Sequence, residues 1–413
     1  MANNFLNPTW YSMKVLSLLI NKKHIAEKFN TSWDKDFKQK FAVGDTVNVK
    51  FPQRFTIRTG MTYSAQNIDR KSTSITLDQV FGVDFEFDSY EKAVKMERSE
   101  AEITEQYLDP IADQLAQELD SRAAEWAYQN ASNVFGALGT DATTYLPFLN
   151  AGARLFGKAC PENKARYMIV SASQMAALIN ANVVTQFNPS DEVSRQFKKG
   201  VVGMFDGATW GRSNSLYRHT AGTQATTLTV NATLTNGATS MVVDTTSGDT
   251  FFKGDKFSVA SVNMVNPGSR RASGASSAQH FTITAAATAT GATTTINFLP
   301  AVYGPNHQYQ NVDRLPTAAD VITPWPGTTS PNAKSGTVGL LITDQAFALV
   351  GAEFAETSDA EVSRTTRDPQ TGLAVSFLRQ LEGRTRTTIN RFDMCVGFGN
   401  LYQDNGVVAI AMA

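Results

Sequence analysis

The chain has 413 residues, of which 42% are hydrophobic, 10% aromatic and 18% charged. This composition is typical of a globular protein with two or more domains and excludes an intrinsically disordered chain. With 37 Lys and Arg against 38 Asp and Glu, the net charge is -1. Such a balance excludes strong charge-driven wrapping of nucleic acid or binding to an anionic membrane.

The sequence contains no pattern typical of a disulfide, a metal site or a membrane segment. Cys160 and Cys395 lie far apart without CxxC spacing, so we expect two buried thiols. The longest apolar run near the N-terminus, residues 15–20, is much shorter than a bilayer span. The first residues lack the basic start of a signal peptide. We therefore expect synthesis in a reducing cytoplasm and no membrane partner.

The first segment, residues 1–45, is predicted to be an N-terminal arm. Asn7-Pro8 fits a helix start, and apolar residues then recur with broad helical spacing as far as Ile25. Leu18 and Leu19 lie in the most apolar part of this segment. Because an amphipathic helix needs a surface to lie on, these two residues are candidate contacts with a neighbouring subunit.

Residues 46–93 alternate between apolar and polar side chains in two runs, which predicts an extended β-hairpin. In the second run Asp84, Glu86 and Asp88 share one face of a strand, while Val83 and Phe85 point to the other. An ordinary solvated strand face is one interpretation of these carboxylates. The alternative is a dock for basic side chains or a divalent cation, and the three residues are further candidate inter-subunit contacts.

Residues 94–221 contain the clearest helix signal. Asp109 suits the N-cap, Pro110 fits the first helical position, and apolar residues follow at near-helical spacing up to about residue 133. A helix of about 24 residues would be about 36 Å long. The patterns behind it alternate between strand and helix, which predicts an α+β domain.

The composition changes near Ala221. Residues 222–330 are rich in threonine and poor in charge, and their short alternating runs are separated by Gly, Asn, Asp and Ser turns. This pattern predicts an inserted antiparallel β-domain, either a barrel or a sandwich. Mixed patterning resumes over residues 331–413, so we expect the flanking parts to form one domain that the insertion splits.

The common enzyme motifs are absent from the sequence. There is no Walker A, HExxH or GxSxG pattern, and Gly397-Phe398-Gly399 lacks the third glycine of a dinucleotide fingerprint. The four histidines are scattered. We expect neither an enzyme nor a bound cofactor. The arginines between residues 364 and 391 form either a solvated surface or a face towards a neighbour or a polyanion.

The order of these segments resembles the P22-type coat proteins of tailed phages, a branch of the HK97-like capsid fold. Seven short segments carry the resemblance: 107–110 (YLDP), 203–207 (GMFDG), 254–259 (GDKFSV), 279–283 (QHFTI), 346–350 (AFALV), 368–373 (DPQTGL) and 391–398 (RFDMCVGF). Each is weak alone, but they occur in the expected order.

The resemblance implies an α+β fold with an N-terminal arm, an extended β-hairpin loop, a long spine helix, and split peripheral and axial domains that carry an inserted all-β domain. It implies a major capsid protein whose hexamers and pentamers form an icosahedral shell around the phage double-stranded DNA genome. The implied partners are other copies of the chain, a scaffolding protein, a portal protein and DNA held by weak non-specific contacts. The implied location is the virion capsid, assembled in the host cytoplasm.

Arg270 and Arg271 complete the candidate inter-subunit contacts. They stand in a loop of small residues, 267–278, onto which no contact of the family can be transferred residue by residue. A β-rich phage receptor-binding or adhesin-like surface protein is the alternative function. The threonine-rich block favours it, but it leaves the long capped helix unexplained. An unrecognised hydrolase is a second rival, against which the lack of nucleophile-base spacing argues.

Overall fold

The computed structural model describes residues 8–32, 46–50, 54–58, 60–63, 65–66, 68, 72–88, 107–180, 203–224, 227–272, 278–325, 334–355, 362–384, 387–401 and 406–411. These residues form a mixed α+β protein. The helices are α1 Pro8–Lys22, α2 Asp109–Asn130, α3 Leu146–Gly157 and α4 Ala172–Asn180, with a 3₁₀ helix at Ala26–Lys28. The strands are β1 Thr46–Lys50, β2 Ser72–Asp88, β3 Asn133–Gly136, β4 Arg166–Val170, β5 Met204–Phe205, β6 Ala208–Arg212, β7 Arg218–Thr220, β8 Leu228–Val230, β9 Ala238–Asp244, β10 Thr250–Phe251, β11 Lys256–Asn263, β12 Ala278–Ile283, β13 Ala287–Thr288, β14 Thr293–Val302, β15 Val321–Pro324, β16 Ser335–Thr343, β17 Phe347–Ala352, β18 Val362–Arg367, β19 Ala374–Glu382, β20 Thr387–Asn400 and β21 Val407–Ala411.

The chain divides into two compact units. The first unit comprises Met1–Val49, Ser72–Ala123 and Ala348–Asn400, and the second comprises Lys50–Lys71, Ala124–Phe347 and Leu401–Ala413. The domain boundaries predicted at residues 45, 93, 221 and 330 stay predictions.

The long helix α2 begins within one residue of the predicted position, with Asp109 as its first residue rather than its N-cap. Asp109 and Pro110 form its first turn, and Ile111, Leu115 and Leu119 are buried at intervals of four residues. The helix has 22 residues, so its length is about 33 Å. It ends at Asn130 rather than at residue 133, because the chain enters β3 three residues later.

A six-stranded sheet forms the centre of the first unit. Its strand order is β1-β2-β20-β19-β18, and β17 also pairs with β20. The two runs predicted as a hairpin correspond to β1 and β2. The β2 and β20 strands are antiparallel from Thr76, opposite Phe398, to Asp88, opposite Thr387. This long pairing is what holds the second run of the hairpin sequence on the sheet.

Helix α1, the first described part of the predicted arm, packs on its own chain, whereas the apolar face led us to expect a contact with a neighbouring subunit. Helix α1 lies against β18 and β19, and the ring of Tyr11 stacks on Phe377 with centroids 5.5 Å apart. The hydroxyl groups of Ser12 and Thr366 are 2.5 Å apart. Leu19 is fully buried within the chain, so its side chain is not accessible to a neighbouring subunit in this structure. An amphipathic helix can pack on its own chain or on a neighbouring subunit. Its apolar pattern alone therefore does not distinguish the two surfaces.

A seven-stranded mixed sheet lies in the second unit, with the order β3-β21-β16-β4-β6-β5 and β7 paired to β16. Helices α3 and α4 pack on it. Phe148 and Leu155 from α3 join Met175 and Leu178 from α4 in one core with Trp210 of the sheet. Strands and helices alternate in this part of the chain, as the patterns behind α2 predicted.

Six further strands of the second unit close into a barrel with the order β11-β12-β14-β9-β8-β15. Every pairing in it is antiparallel. Phe257, Phe281 and Phe298 pack in its core, with ring centroids 5.2 to 6.1 Å apart. All six strands lie within residues 222–330, and the barrel is one of the two architectures that the alternating runs predicted.

The chain enters and leaves the barrel segment through neighbouring strands. β7 is antiparallel to the start of β16, with Thr220 opposite Ser335. The backbone N–H of Ala221 donates a hydrogen bond to the carbonyl of Lys334 at 2.9 Å. The whole segment between these residues therefore occupies the position of a turn between two adjacent strands.

Candidate assembly surfaces

The segment between β1 and β2 exposes large apolar side chains. Ile57 is 94% exposed and Met61 is 99% exposed. Three more side chains in this segment are also exposed: Phe55, Tyr63 and Ile68. Isolated exposed apolar residues are common on protein surfaces, but five within 14 positions are a concentration typical of interaction sites. We call these five residues the apolar patch. The sequence predicted an extended hairpin here but did not single out these five side chains.

The backbone around this patch is held by its own hydrogen bonds. The Gln66 side chain accepts a hydrogen bond from the Thr56 N–H at 2.7 Å and donates one to the Thr56 carbonyl at 2.6 Å. Arg58 donates to the carbonyls of Gly60 and Thr62. Gly60 has a φ of 89°, a conformation that glycine adopts without strain. These contacts hold the two sides of the tip together, so the apolar side chains are presented on a defined backbone.

The Asp84 and Glu86 side chains lie on the exposed face of β2, as the strand alternation predicted, and the side chain of Asp88 is outside the described part of the structure. On the opposite face, Phe85 stacks on Phe392 with centroids 6.2 Å apart. The Asp84 carboxylate is 3.5 Å from the Arg391 guanidinium, so it has a basic partner within the chain.

Arg391 is shared between two carboxylates. It lies 2.8 Å from Asp393 as well as 3.5 Å from Asp84, and the hydrogen bond that it donates to Asp393 is the main reason that the pKa of Arg391 is raised. In the described residues no group of three or more His, Cys, Asp or Glu side chains is arranged to hold a metal ion. A contact of this surface with basic side chains of a neighbouring subunit stays a prediction.

Arg270 and Arg271 lie in a turn at one end of the barrel. The guanidinium of Arg270 donates a hydrogen bond to the carbonyl of Gln308 at 3.2 Å, and Arg270 has a φ of 56°. Arg271 is exposed. The structure therefore ties one arginine to its own barrel and leaves the other on the surface. A role for Arg271 in a contact between subunits stays a prediction.

Within α1, Leu18 is half-buried and Met13 is exposed. These side chains form the part of the arm that is still accessible. Leu18 therefore stays a candidate inter-subunit contact, whereas Leu19 is buried and would make one only if α1 left its own chain. Cys160 is buried, as expected, and Cys395 is half-buried; neither forms a disulfide.

Helix α3 carries an exposed apolar face that the sequence analysis did not single out. Leu146, Leu149 and Phe156 are exposed, although Phe148 and Leu155 of the same helix are buried. A helix with apolar residues on nearly all sides is usually buried on more than one side. This all-round hydrophobicity was the signal in the sequence that could have identified a second apolar face.

Among the helices in the described part of the chain, none is both long and apolar enough to cross a membrane. A comparison with curated protein sequences gives no significant match.

The chain aligns with several solved phage structures. A structure from Mycobacterium phage Che8 aligns over 94% of this chain and 90% of its own, with a TM-score of 0.49 and 14% identity. The capsid of cyanophage P-SCSP1u aligns over 90% and 85%, with a TM-score of 0.44 and 12% identity. The mature capsid of bacteriophage PhiM1 aligns over 90% and 83%, with a TM-score of 0.44 and 11% identity.

The sequence also matches a known protein family. The family described as "P22 coat protein - gene protein 5" matches residues 13–407, nearly the whole chain. The match includes all seven segments that carried the resemblance, the long helix and the barrel. The chain therefore belongs to the P22 coat protein family, whose members are structural proteins of phage capsids and not enzymes.

Proposed function

We propose that copies of this chain assemble as hexamers and pentamers into an icosahedral shell that encloses a phage double-stranded DNA genome. Membership of the coat protein family supports a shell protein. The observation that carries the proposal further is the exposed apolar patch at residues 55–68, which has a defined backbone but no cover within the described residues of that segment.

The physical reason is the cost of leaving the patch in water. Burying a side chain of the size of Ile or Met contributes about 1.5 to 3 kcal/mol, so Ile57 and Met61 together offer several kcal/mol to any partner that covers them. A contact repeated around a ring of identical subunits multiplies this gain. The occupant that we propose is a neighbouring copy of the same chain.

The proposed additional partners are a scaffolding protein, a portal protein and the packaged DNA. A net charge of -1 supports a wall that contacts DNA weakly and without sequence preference, since strong binding requires many neutralised phosphates. Assembly in the host cytoplasm and location in the virion capsid belong to the same proposal.

The test is assembly of a variant with Ile57→Ser and Met61→Ser, compared with a control that carries Met204→Ser. Met204 is also a strongly exposed apolar residue, but it lies on β5. We expect all three proteins to melt at the same temperature when unassembled. Sedimentation and negative-stain imaging, with the scaffolding partner present, should show closed shells for wild type and control only. Normal shells from the double variant would contradict the role of the patch.

The same images distinguish the alternative function. A receptor-binding or adhesin-like protein would give discrete small oligomers of wild type under every condition, with no closed shells. Shells from wild type together with normal shells from the double variant would retain the capsid function and reject only this contact.

A further inference from the structure

The barrel is attached to the rest of the second unit through buried polar contacts. Arg154 of α3 donates hydrogen bonds to the side chain of Asn133 at 2.7 Å and to the carbonyl of Ala278 at 2.8 Å. Lys158, one turn further along, donates to Gln279 at 2.5 Å. Both cations are buried. The start of β12 is therefore connected to α3 and β3 by charged donors. We call these contacts, with those of Lys256, Thr282 and His280 described next, the barrel junction.

A second group of contacts connects the barrel to the C-terminal end of α2. The ammonium group of Lys256 donates to the carbonyls of Tyr128 and Ala131 and lies 4.2 Å from the centre of the Tyr128 ring. The hydroxyl of Thr282 donates to the same Ala131 carbonyl at 2.8 Å. The last carbonyls of a helix have no partner within the helix and carry partial negative charge. Lys256 therefore caps α2 from a strand of the barrel.

His280 lies in the middle of the barrel junction. Its Nδ1 accepts a hydrogen bond from the backbone N–H of Val134 in β3 at 3.3 Å, and its ring packs edge to face with Phe135 at 5.9 Å. An imidazole nitrogen that accepts a hydrogen bond carries no proton. If His280 took up a second proton, Nδ1 would become a donor that faces another donor, and the contact with Val134 would be lost.

The charges around His280 have one sign. Arg154 faces it from α3, Lys158 from the position directly after α3, and Lys256 from β11. The adjacent strand β3 has no ionisable side chain. Asp255, next to Lys256 in the chain, is already engaged by the ring of His219 and by backbone N–H groups. Burial, and after it these three cations, hold the pKa of His280 well below its ordinary value of 6.5.

We propose that the barrel junction is a pH-sensitive attachment, in which protonation of His280 loosens the barrel strand β12 from β3 in acid. The neutral imidazole fits the junction as a hydrogen-bond acceptor beside three cations. The charged imidazole fits neither the donor of Val134 nor the surrounding positive charge. The attachment itself requires nothing from the assembled shell, so this inference stands independently of the proposed function.

The direction of the pH effect follows from proton linkage. When β12 is detached, water restores the ordinary proton affinity of His280, so the detached state binds more protons than the attached state below about pH 6.5. The attachment is therefore at full strength above that value and weakens as the pH falls. One proton gives at most about a tenfold change in the attachment equilibrium per pH unit.

Hydrogen–deuterium exchange of the full-length protein tests the proposal. Peptides that cover residues 131–136 and 278–283 are measured at about pH 7.5 and about pH 5, with correction for the intrinsic exchange rate. In wild type, we expect the protection factors of both peptides to be up to about thirtyfold lower at about pH 5 than at about pH 7.5. His280→Asn should keep the same protection at both values, because its side-chain oxygen accepts the same N–H and does not titrate.

His24→Asn is the matched control, since His24 is exposed and lies in the first unit. It should behave as wild type in both peptides. Equal protection of wild type at the two pH values would overturn the proposal, and so would an equal loss of protection in wild type and His280→Asn.

A second measurement does not depend on whether the variant folds. In protein labelled with ¹⁵N-histidine, the His280 signal is assigned by its absence from His280→Asn or by elimination with variants at the other histidines. We expect its Nδ1 to remain unprotonated well below pH 6.5 as long as β12 stays attached. Protonation with a midpoint at or above about pH 6.5 would show that the junction accepts the charged ring, which overturns the proposal.

Discussion

The carboxylate of Asp120, in the middle of the long helix, accepts a hydrogen bond from the backbone N–H of Ala26 at 2.8 Å. The same carboxylate also accepts the N–H groups of His24 at 2.7 Å and Ile25 at 3.0 Å. These three donors are the free N–H groups at the start of the 3₁₀ helix Ala26–Lys28. One buried side chain therefore fixes the end of the arm to α2 within the first unit.

Asp120→Ala should destabilise the first unit, because it leaves buried N–H groups without acceptors. We expect a loss of about 1 to 3 kcal/mol in the free energy of unfolding, measured by denaturant unfolding of the unassembled protein. The matched control is Glu118→Ala on the exposed side of α2, which should change the same quantity by about 0.5 kcal/mol or less. Equal effects of the two substitutions would contradict the anchoring role.

The pH dependence of the Asp120→Asn variant gives a separate prediction. Burial raises the pKa of Asp120 above 3.8, even though three N–H groups stabilise the charged form. The folded state thus holds this proton more tightly than the unfolded chain, so wild type should lose stability relative to Asp120→Asn as the pH rises from below 3.8. Denaturant unfolding of both proteins across this range measures the difference in their free energies of unfolding. If wild type gained stability relative to Asp120→Asn as the pH rose, the assigned sign would be wrong.

Leu19→Ala should destabilise the unassembled protein, because Leu19 is completely buried on the sheet of the first unit. Truncation of a buried leucine costs about 2 to 5 kcal/mol. The exposed Met13 supplies the control, since Met13→Ala on the same helix should leave the melting temperature nearly unchanged. If Leu19→Ala melted as wild type and failed only in assembly, the arm would leave its own sheet and contact a neighbour, as the sequence first suggested.

Gly397→Ala should weaken the pairing of β2 with β20. A Cβ atom at this position would lie 2.3 Å from the Thr76 carbonyl oxygen, and the strand would have to shift to admit it. We expect a loss of about 1 to 3 kcal/mol in the free energy of unfolding. A Cβ atom at Gly211 meets nothing within 4 Å, so Gly211→Ala is the control. A neutral result at both positions would mean that the two strands are less closely packed than described.

The barrel segment should fold when it is expressed alone. Residues 222–330 contain all six barrel strands and their own apolar core, and the buried cation Lys256 would simply return to water. We expect dispersed amide signals in NMR spectra and a lower melting temperature than that of the full chain. Phe281→Ala, which removes the centre of the core, should abolish the dispersion. A random-coil spectrum for the unmodified segment would contradict independent folding.

Local patterns predicted much of the architecture. The pair Asp109-Pro110 predicted the start of α2, and the alternation of Asp84 with Phe85 predicted which face of β2 is exposed. The fit is good because the start of a helix and the alternation of a strand depend on neighbours in the sequence. The sequence suggested that a neighbouring subunit covers Leu19, whereas its own chain covers it in this structure. A periodic pattern identifies an apolar face but not what covers it.

The buried ionic contacts were not predictable in the same way. Lys256 lies 128 residues from the carbonyl that it caps, and Lys158 lies 121 residues from Gln279. In a sequence a lysine indicates a solvated surface, because this side chain is almost never fully buried without partners. Here the partners come from distant segments, so no local signal marks the position. The same is true of Asp120, which a helical pattern alone would place on a wet face.

The hydrogen bond between Ala221 and Lys334 has a consequence for how the chain could be rebuilt. Since Thr220 and Ser335 are directly opposite each other in antiparallel strands, an Asn-Gly turn between them would preserve the register of the seven-stranded sheet. Any folded module whose two ends lie as close together would meet the same geometric requirement, because the entropy of closing a loop grows only slowly with its length. This position is thus suited to the exchange of one inserted domain for another. The same sheet would support a coat protein without the barrel or with a different domain in its place.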